Sequence, residues 1–134
     1  MSQQAGPAPK GAPDGPNAEA LQSFMDRAGQ GPVVMLNLLK FKAAGGAEMY
    51  ARYGEAVAPL LRKCGGRVLY MGQPDELVIG RERWDSVLLV EYPSRGAFIG
   101  MVTSPEYQAI QHLRDESLER SVLYATNPLP TPAA

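Results

Sequence analysis

The chain has 134 residues, enough for one domain, and its 13 basic and 14 acidic side chains leave a net charge of −1. No basic cluster longer than Arg62-Lys63 occurs, so the footprint of nucleic-acid binding is missing, and no run of about 18 apolar residues or signal-type core offers a membrane span or leader. A lone cysteine, Cys64, and a lone histidine, His112, rule out a disulfide framework and a Cys/His metal site; the expected compartment is the cytoplasm.

Residues 1–16 carry Pro7, Pro9, Pro13 and Pro16 with Gly6, Gly11 and Gly15 and almost nothing to bury, the composition of a disordered arm. Asn17 then stands at an N-cap position. Leu21, Phe24, Met25 and Ala28 share a helical face before Gly29, predicting a helix over residues 18–28. After Gly31-Pro32 the run VVMLNLLKF reads as a strand over residues 33–41. Gly45-Gly46 opens a second helix in which Met49, Tyr53, Val57, Leu60 and Cys64 repeat at helical spacing. Pro59 inside it removes a backbone donor and predicts a kink or a break, and Gly65-Gly66 predicts a left-handed end.

Residues 67–71 read as a strand, with a further short strand at 76–79 between bends at Pro74-Asp75 and Gly80. Residues 86–92, SVLLVEY, form the strongest strand. Ser94 after Pro93 predicts a cap for a helix at 95–102, and Ser104-Pro105 restarts a helix predicted to run to about residue 119. Residues 122–125 read as a last strand, and 127–134 as a Pro-rich tail. Residues 17–126 are therefore one α+β domain. Its core order is strand, helix, two strands, helix, strand, with an extra N-terminal helix: the ferredoxin-like βαββαβ pattern of an antiparallel sheet with helices on one face.

The runs PVVMLNLL and VLLV are apolar at consecutive positions, so both strands present apolar side chains to both sheet faces and both faces need cover. Two helices cover one face. A second copy stacking on the other is the expected solution, and the rival is the N-terminal helix folding across its own sheet.

The run PVVMLNLLKFK, the tyrosines of MYARYGEAVAPLL, then CGGRVLYMG, WDSVLLVEYPS, SPEYQ and Arg114 together resemble the domain of unknown function 1330 family over about residues 32–125. That family is similar to the dimeric α/β-barrel superfamily, which includes cofactor-free monooxygenases, isomerases, dehalogenases and polyketide cyclases. The resemblance implies a ferredoxin-like dimeric α/β barrel, a homodimer, and a pocket between each sheet and its helices. It implies no particular reaction. The superfamily's His-based enzymes carry a histidine on a strand entering the pocket, whereas His112 falls in the last helix.

Several side chains are candidates for chemistry. On a continuous last helix Arg114 falls on the apolar stripe of Tyr107, Ile110 and Leu118. A guanidinium there needs a carboxylate, carbonyls or a bound anion, so it is either an anchor for a substrate oxyanion or a structural partner of Glu91 or another interior acid. Asn37 interrupts the first apolar strand and would donate to a ligand oxygen or bind backbone at a dimer seam. Glu91 interrupts the other and is a candidate base if unpaired. Tyr50, Tyr53, Tyr92 and Tyr107 are placed to line a substrate pocket or simply fill the core; Trp84, at a strand entrance next to Asp85, is either a further substrate contact or a packing anchor whose indole N–H finds a carbonyl. His112 lies on the polar side with Gln108, Glu116 and Glu119 and reads as solvated. No catalytic triad, phosphate loop or dinucleotide fingerprint occurs, so no cofactor or metal is expected.

The expected function is binding of a small anionic or enolisable apolar compound, as a cofactor-independent enzyme of oxygenase, isomerase or cyclase type. The alternative is a non-catalytic ligand-binding or scaffolding homodimer.

Overall fold

The computed structural model describes residues 15–132; most of the predicted arm and the last two residues of the predicted tail lie outside them. In chain order the elements are α1 (Ala18–Asp26), β1 (Val33–Phe41), α2 (Gly46–Lys63), β2 (Arg67–Gly72), β3 (Ser86–Tyr92), α3 (Arg95–Val102), α4 (Pro105–Gln108), α5 (Gln111–Asp115) and β4 (Leu118–Thr126). The strands form one sheet in the order β2-β3-β1-β4, and every neighbouring pair is antiparallel. This is the ferredoxin-like α+β arrangement.

Alternation along the two central strands sets the layers. Val33, Met35, Asn37 and Leu39 of β1, with Leu88, Val90 and Tyr92 of β3, are buried against Val57, Leu60 and Leu61 of α2 and Phe98 of α3. Their alternate neighbours, Val34, Leu36 and Leu38 opposite Glu91, Leu89 and Val87, form the other face and are only half-buried. Tyr124 and Val122 of β4 and Tyr70 of β2 extend that face outward. It is an apolar sheet surface without a covering layer among the described residues.

The rival cover is not used. Helix α1 lies beside α3 in the helical layer, the Phe24 ring meeting that of Phe98 edge-on at 5.6 Å. It ends at Asp26, two residues short of the expected end, and Asn17 occupies the cap position without a side-chain bond.

Helix α2 begins at Gly45, whose φ of 79° is left-handed, and runs through Pro59 unbroken. Pro59 is exposed while Val57, Leu60 and Leu61 hold the helix to the core on either side, so packing outweighs the one missing backbone bond. The helix closes as a Schellman motif: Gly65 has φ 85°, Gly66 N–H donates to the Leu61 carbonyl at 2.9 Å and Gly65 N–H to that of Arg62 at 3.1 Å.

Two further expectations are corrected. Residues 76–79 form no strand and join no sheet: Val78 and Ile79 are 84 % and 90 % exposed, so no burial offsets the cost of ordering this short, turn-rich stretch. The last helix does not run to residue 119. Ser94 and Ser104 cap α3 and α4 as expected, accepting from Ala97 N–H at 3.1 Å and Tyr107 N–H at 3.2 Å, but α4 stops at Gln108 and α5 at Asp115. Ser117 then bonds backbone at both ends, its hydroxyl donating to the Arg114 carbonyl at 2.7 Å and its carbonyl accepting from Lys42 N–H at 2.9 Å. Leu118, 3 % exposed, enters the core as the first residue of β4 opposite Phe41. The ladder with β1 captures residues that local spacing assigned to helix.

Leu39 is fully enclosed. Leu39→Ala is therefore expected to lower stability by about 2–5 kcal/mol, the range for an aliphatic truncation that leaves a cavity. A urea titration would register it as a lower midpoint with an unchanged slope.

Candidate functional site

On the helix-covered side of the sheet, four tyrosines converge from three elements. Tyr50 and Tyr53 are one turn apart on α2, so their rings share a face and lie 5.3 Å apart. Tyr107 is fixed by the Ser104 cap in the first turn of α4, and its hydroxyl lies 2.8 Å from that of Tyr53, the two rings meeting edge-on. Tyr92 enters from the end of β3 and is 5 % exposed.

Arg114, half-buried on α5, closes this cluster. Its guanidinium reaches the Tyr50 phenol both as a charge and as a hydrogen-bond donor, and its charge is felt at Tyr53 and Tyr92. Among the described residues it has no carboxylate partner. Asn37 lies on the same sheet face, 9 % exposed, its carboxamide donating to the Met35 carbonyl at a long 3.4 Å.

The electrostatics make these phenols donors. Burial raises Tyr53 strongly, reinforced by Tyr107 as a charge and hydrogen-bond partner and only partly offset by Arg114. Burial likewise raises Tyr92, with Cys64 adding to it. Tyr50 is raised by burial even though Arg114 pulls it the other way. All three stay protonated through neutral pH and present O–H groups beside a fixed positive charge.

Two residues expected at the site lie elsewhere. Glu91 is on the open sheet face, where its carboxylate accepts from Arg67 Nε at 2.8 Å; it neither pairs with Arg114 nor stands near the phenols. Both Asn37 and Glu91 interrupt an apolar strand, but the β1–β3 register sets Asn37 opposite Leu88 and Glu91 opposite Val34, hence on opposite faces. Trp84 lies beyond the sheet end, its ring beneath the Arg120 guanidinium at 5.1 Å.

Trp84 helps line an open cleft of about 750 Å³ with Lys40, Phe41, Met71, Arg83 and Asp85. Phe41 joins this cleft to the tyrosines, its ring 5.4 Å from that of Tyr50, and its backbone N–H donates to the Asp85 carboxylate at 2.9 Å. Sequence reasoning passed over Phe41, though its odd position in β1 already put it in phase with Val33, Met35, Asn37 and Leu39. Among the described residues, no three His, Cys, Asp or Glu side chains group to hold a metal ion, and no helix is long and apolar enough to cross a membrane.

Residues 41–127 match the family described as a domain of unknown function (DUF1330). A protein of unknown function from Rhodopseudomonas palustris is 33 % identical, with 90 % of this chain and 99 % of that one covered and a TM-score of 0.79. Fold similarity extends to a dimeric ferredoxin-like protein of unknown function from Jannaschia sp. CCS1, at 13 % identity, 73 % and 100 % coverage and a TM-score of 0.61. It also reaches an uncharacterized NIPSNAP domain protein from Burkholderia xenovorans, at 13 % identity, 76 % and 99 % coverage and a TM-score of 0.58. No curated protein matches the chain.

Proposed function

Because the chain belongs to the DUF1330 family, a membership that carries a fold and not a reaction, we propose from the site itself that it is a homodimer binding a small, largely apolar compound through one anionic or enolisable oxygen. The observation that carries this reading is Arg114, a half-buried guanidinium whose neighbours are protonated phenols instead of a carboxylate. A half-buried cation without an acid beside it invites an oxyanion. Tyr50, Tyr53, Tyr92 and Tyr107 supply apolar faces and donors around it, with Asn37 on the sheet beneath. Trp84, in this reading, contacts the apolar body of the ligand in the adjoining cleft, and Phe41 is the wall between cleft and cluster.

The same geometry favours holding an anion over making one. With Glu91 on the other face and the phenols protonated, the cluster offers donors and no carboxylate base, so an enolate or phenolate is stabilised once formed. A cofactor-independent reaction of oxygenase, isomerase or cyclase type would use that stabilisation, while a purely ligand-binding dimer would stop at it. The homodimer half of the proposal rests on the open apolar face, and the structurally similar ferredoxin-like protein from Jannaschia sp. CCS1 is described as dimeric.

Salicylate and acetylacetone, followed by amide and arginine side-chain NMR, test the site. Saturable shifts at Arg114, Tyr50 and Tyr107 are expected, with Arg114→Met weakening binding about 10- to 100-fold, the worth of a charge-assisted hydrogen bond. Equal affinity in the variant would remove Arg114 from the site. Consumption of either compound by wild type and not by Arg114→Met would favour the enzyme over the binding protein.

A further inference from the structure

At the opposite end of β1 from the cleft lined by Trp84 and Phe41, roughly 27 Å away at strand rise, a second pocket of about 270 Å³ is lined by Arg27, Gln30, Gly31, Pro32, Arg95, Asn127 and Pro128. Arg95 is 3 % exposed, and its Nε is a buried donor without any acceptor. Its Nη2 donates to Asn127 Oδ1 at 3.0 Å, and its guanidinium lies 5.5 Å from the centre of the Phe24 ring. Those partners are neutral. Burial, and after it the charge of a second cation, Arg27, disfavour the protonated form of Arg95.

Acceptors are scarce around this pair. Arg27 Nε already holds Gln30 Oε1 at 3.0 Å and Arg95 holds Asn127 Oδ1, so both carboxamides spend their oxygens on guanidinium groups and retain their N–H₂ ends. Among the described residues that line the pocket, none is acidic. The first amides of α3 are also committed, Arg95 N–H to the Gln30 carbonyl at 3.1 Å and Gly96 N–H to that of Ala28 at 2.6 Å. The walls are firm, because any side chain at Gly31 would strike the Pro93 carbonyl oxygen and the Ser94 backbone.

A buried, unneutralised cation beside another cation is costly, and proteins keep such a pair where something negative completes it. We propose that this pocket is a binding site for a small oxyanion of phosphate or carboxylate type, held by Arg95 and Arg27. The Nε edge of Arg95 is the edge with which a guanidinium forks two oxygens of such a group, and the N-terminus of α3 adds a favourable dipole. This site shares no residue with the Arg114 cluster, and neither depends on the other.

The test is thermal stability of the intact protein against inorganic phosphate and, separately, acetate, with chloride holding ionic strength constant. Saturable stabilisation by one or both over chloride is expected, and the arm that saturates names the oxyanion. Arg27→Gln is expected to weaken it at least about tenfold. Asn127→Asp supplies the missing carboxylate from within, so it is expected to raise the melting temperature without added anion and to abolish the response. An equal response to chloride, or an undiminished phosphate and acetate response in Asn127→Asp, would overturn the site. Arg95→Gln is a third arm, and the first two variants decide the matter even if it does not fold.

Discussion

Above pH 10 the protein is expected to lose stability at up to about 3 kcal/mol per pH unit, chiefly through Tyr53 and Tyr92, and to unfold cooperatively in strongly alkaline solution. The cause is the trio of raised phenols. In the unfolded chain Tyr50, Tyr53 and Tyr92 ionise near the model value of 10.0, whereas burial keeps each protonated to higher pH in the fold. Between those limits the native state binds more protons than the unfolded state, so stability falls as pH rises, by about 1.4 kcal/mol per unit for each of Tyr53 and Tyr92, with Tyr50 adding in the same direction. The contribution is fully present below pH 10 and is lost upward from there. Tyrosinate absorbance and far-UV circular dichroism should therefore change together. Tyr53→Phe should remove up to about half of the slope while forfeiting the hydroxyl contact with Tyr107. Ionisation of these three phenols with the dichroism intact would mean that water reaches them in the folded state.

That prediction draws on a cluster that was largely legible in the sequence. Tyr50 and Tyr53 are three apart in one helix, and Tyr107 behind its Ser-Pro cap lies two turns before Arg114, so spacing sets each pair on one face and the packing of α2 on α4 and α5 joins the pairs. The agreement survives an error in the helix itself: the chain breaks between α4 and α5 at Ala109 and Ile110, yet Arg114 still reaches Tyr50. Where sequence reasoning failed, the missing quantity was non-local. Whether Asn37 and Glu91 share a face depends on the pairing of β1 with β3, and a shift of one residue exchanges the faces. Residues 116–121 have helical spacing on their own, and only the ladder with β1 turns Leu118 onward into strand. Arg95 was invisible as a site for a related reason. Its isolation from acids is set by Arg27 and Asn127, which come from distant parts of the chain.

If the chain is the proposed homodimer, Leu36→Asp is expected to convert it to a monomer that remains folded. Leu36 is central on the open face, in the middle of β1, opposite Leu89 on β3 and Tyr124 on β4. In a two-fold interface the substitution appears twice. At about 2 kcal/mol for each desolvated carboxylate, the dissociation constant should rise at least about 1,000-fold. Light scattering behind size exclusion at micromolar concentration would read this directly. The fold should persist because the helix-side core, from Val33 to Tyr107, contains no residue of the open face; unchanged far-UV dichroism checks it. A charge is the sharper probe than truncation, since Leu36→Ala leaves the surface apolar and still able to stack. The flanking Tyr70 and Tyr124, 57 % and 63 % exposed, are large rings at opposite edges of this surface, where a stacked copy would shield them. If Leu36→Asp stays dimeric, the copies meet through another surface. If the wild type is itself monomeric, the open face is bare in solution and the homodimer proposal fails, while the Arg114 site, on the other side of the sheet, remains to be judged by its ligand.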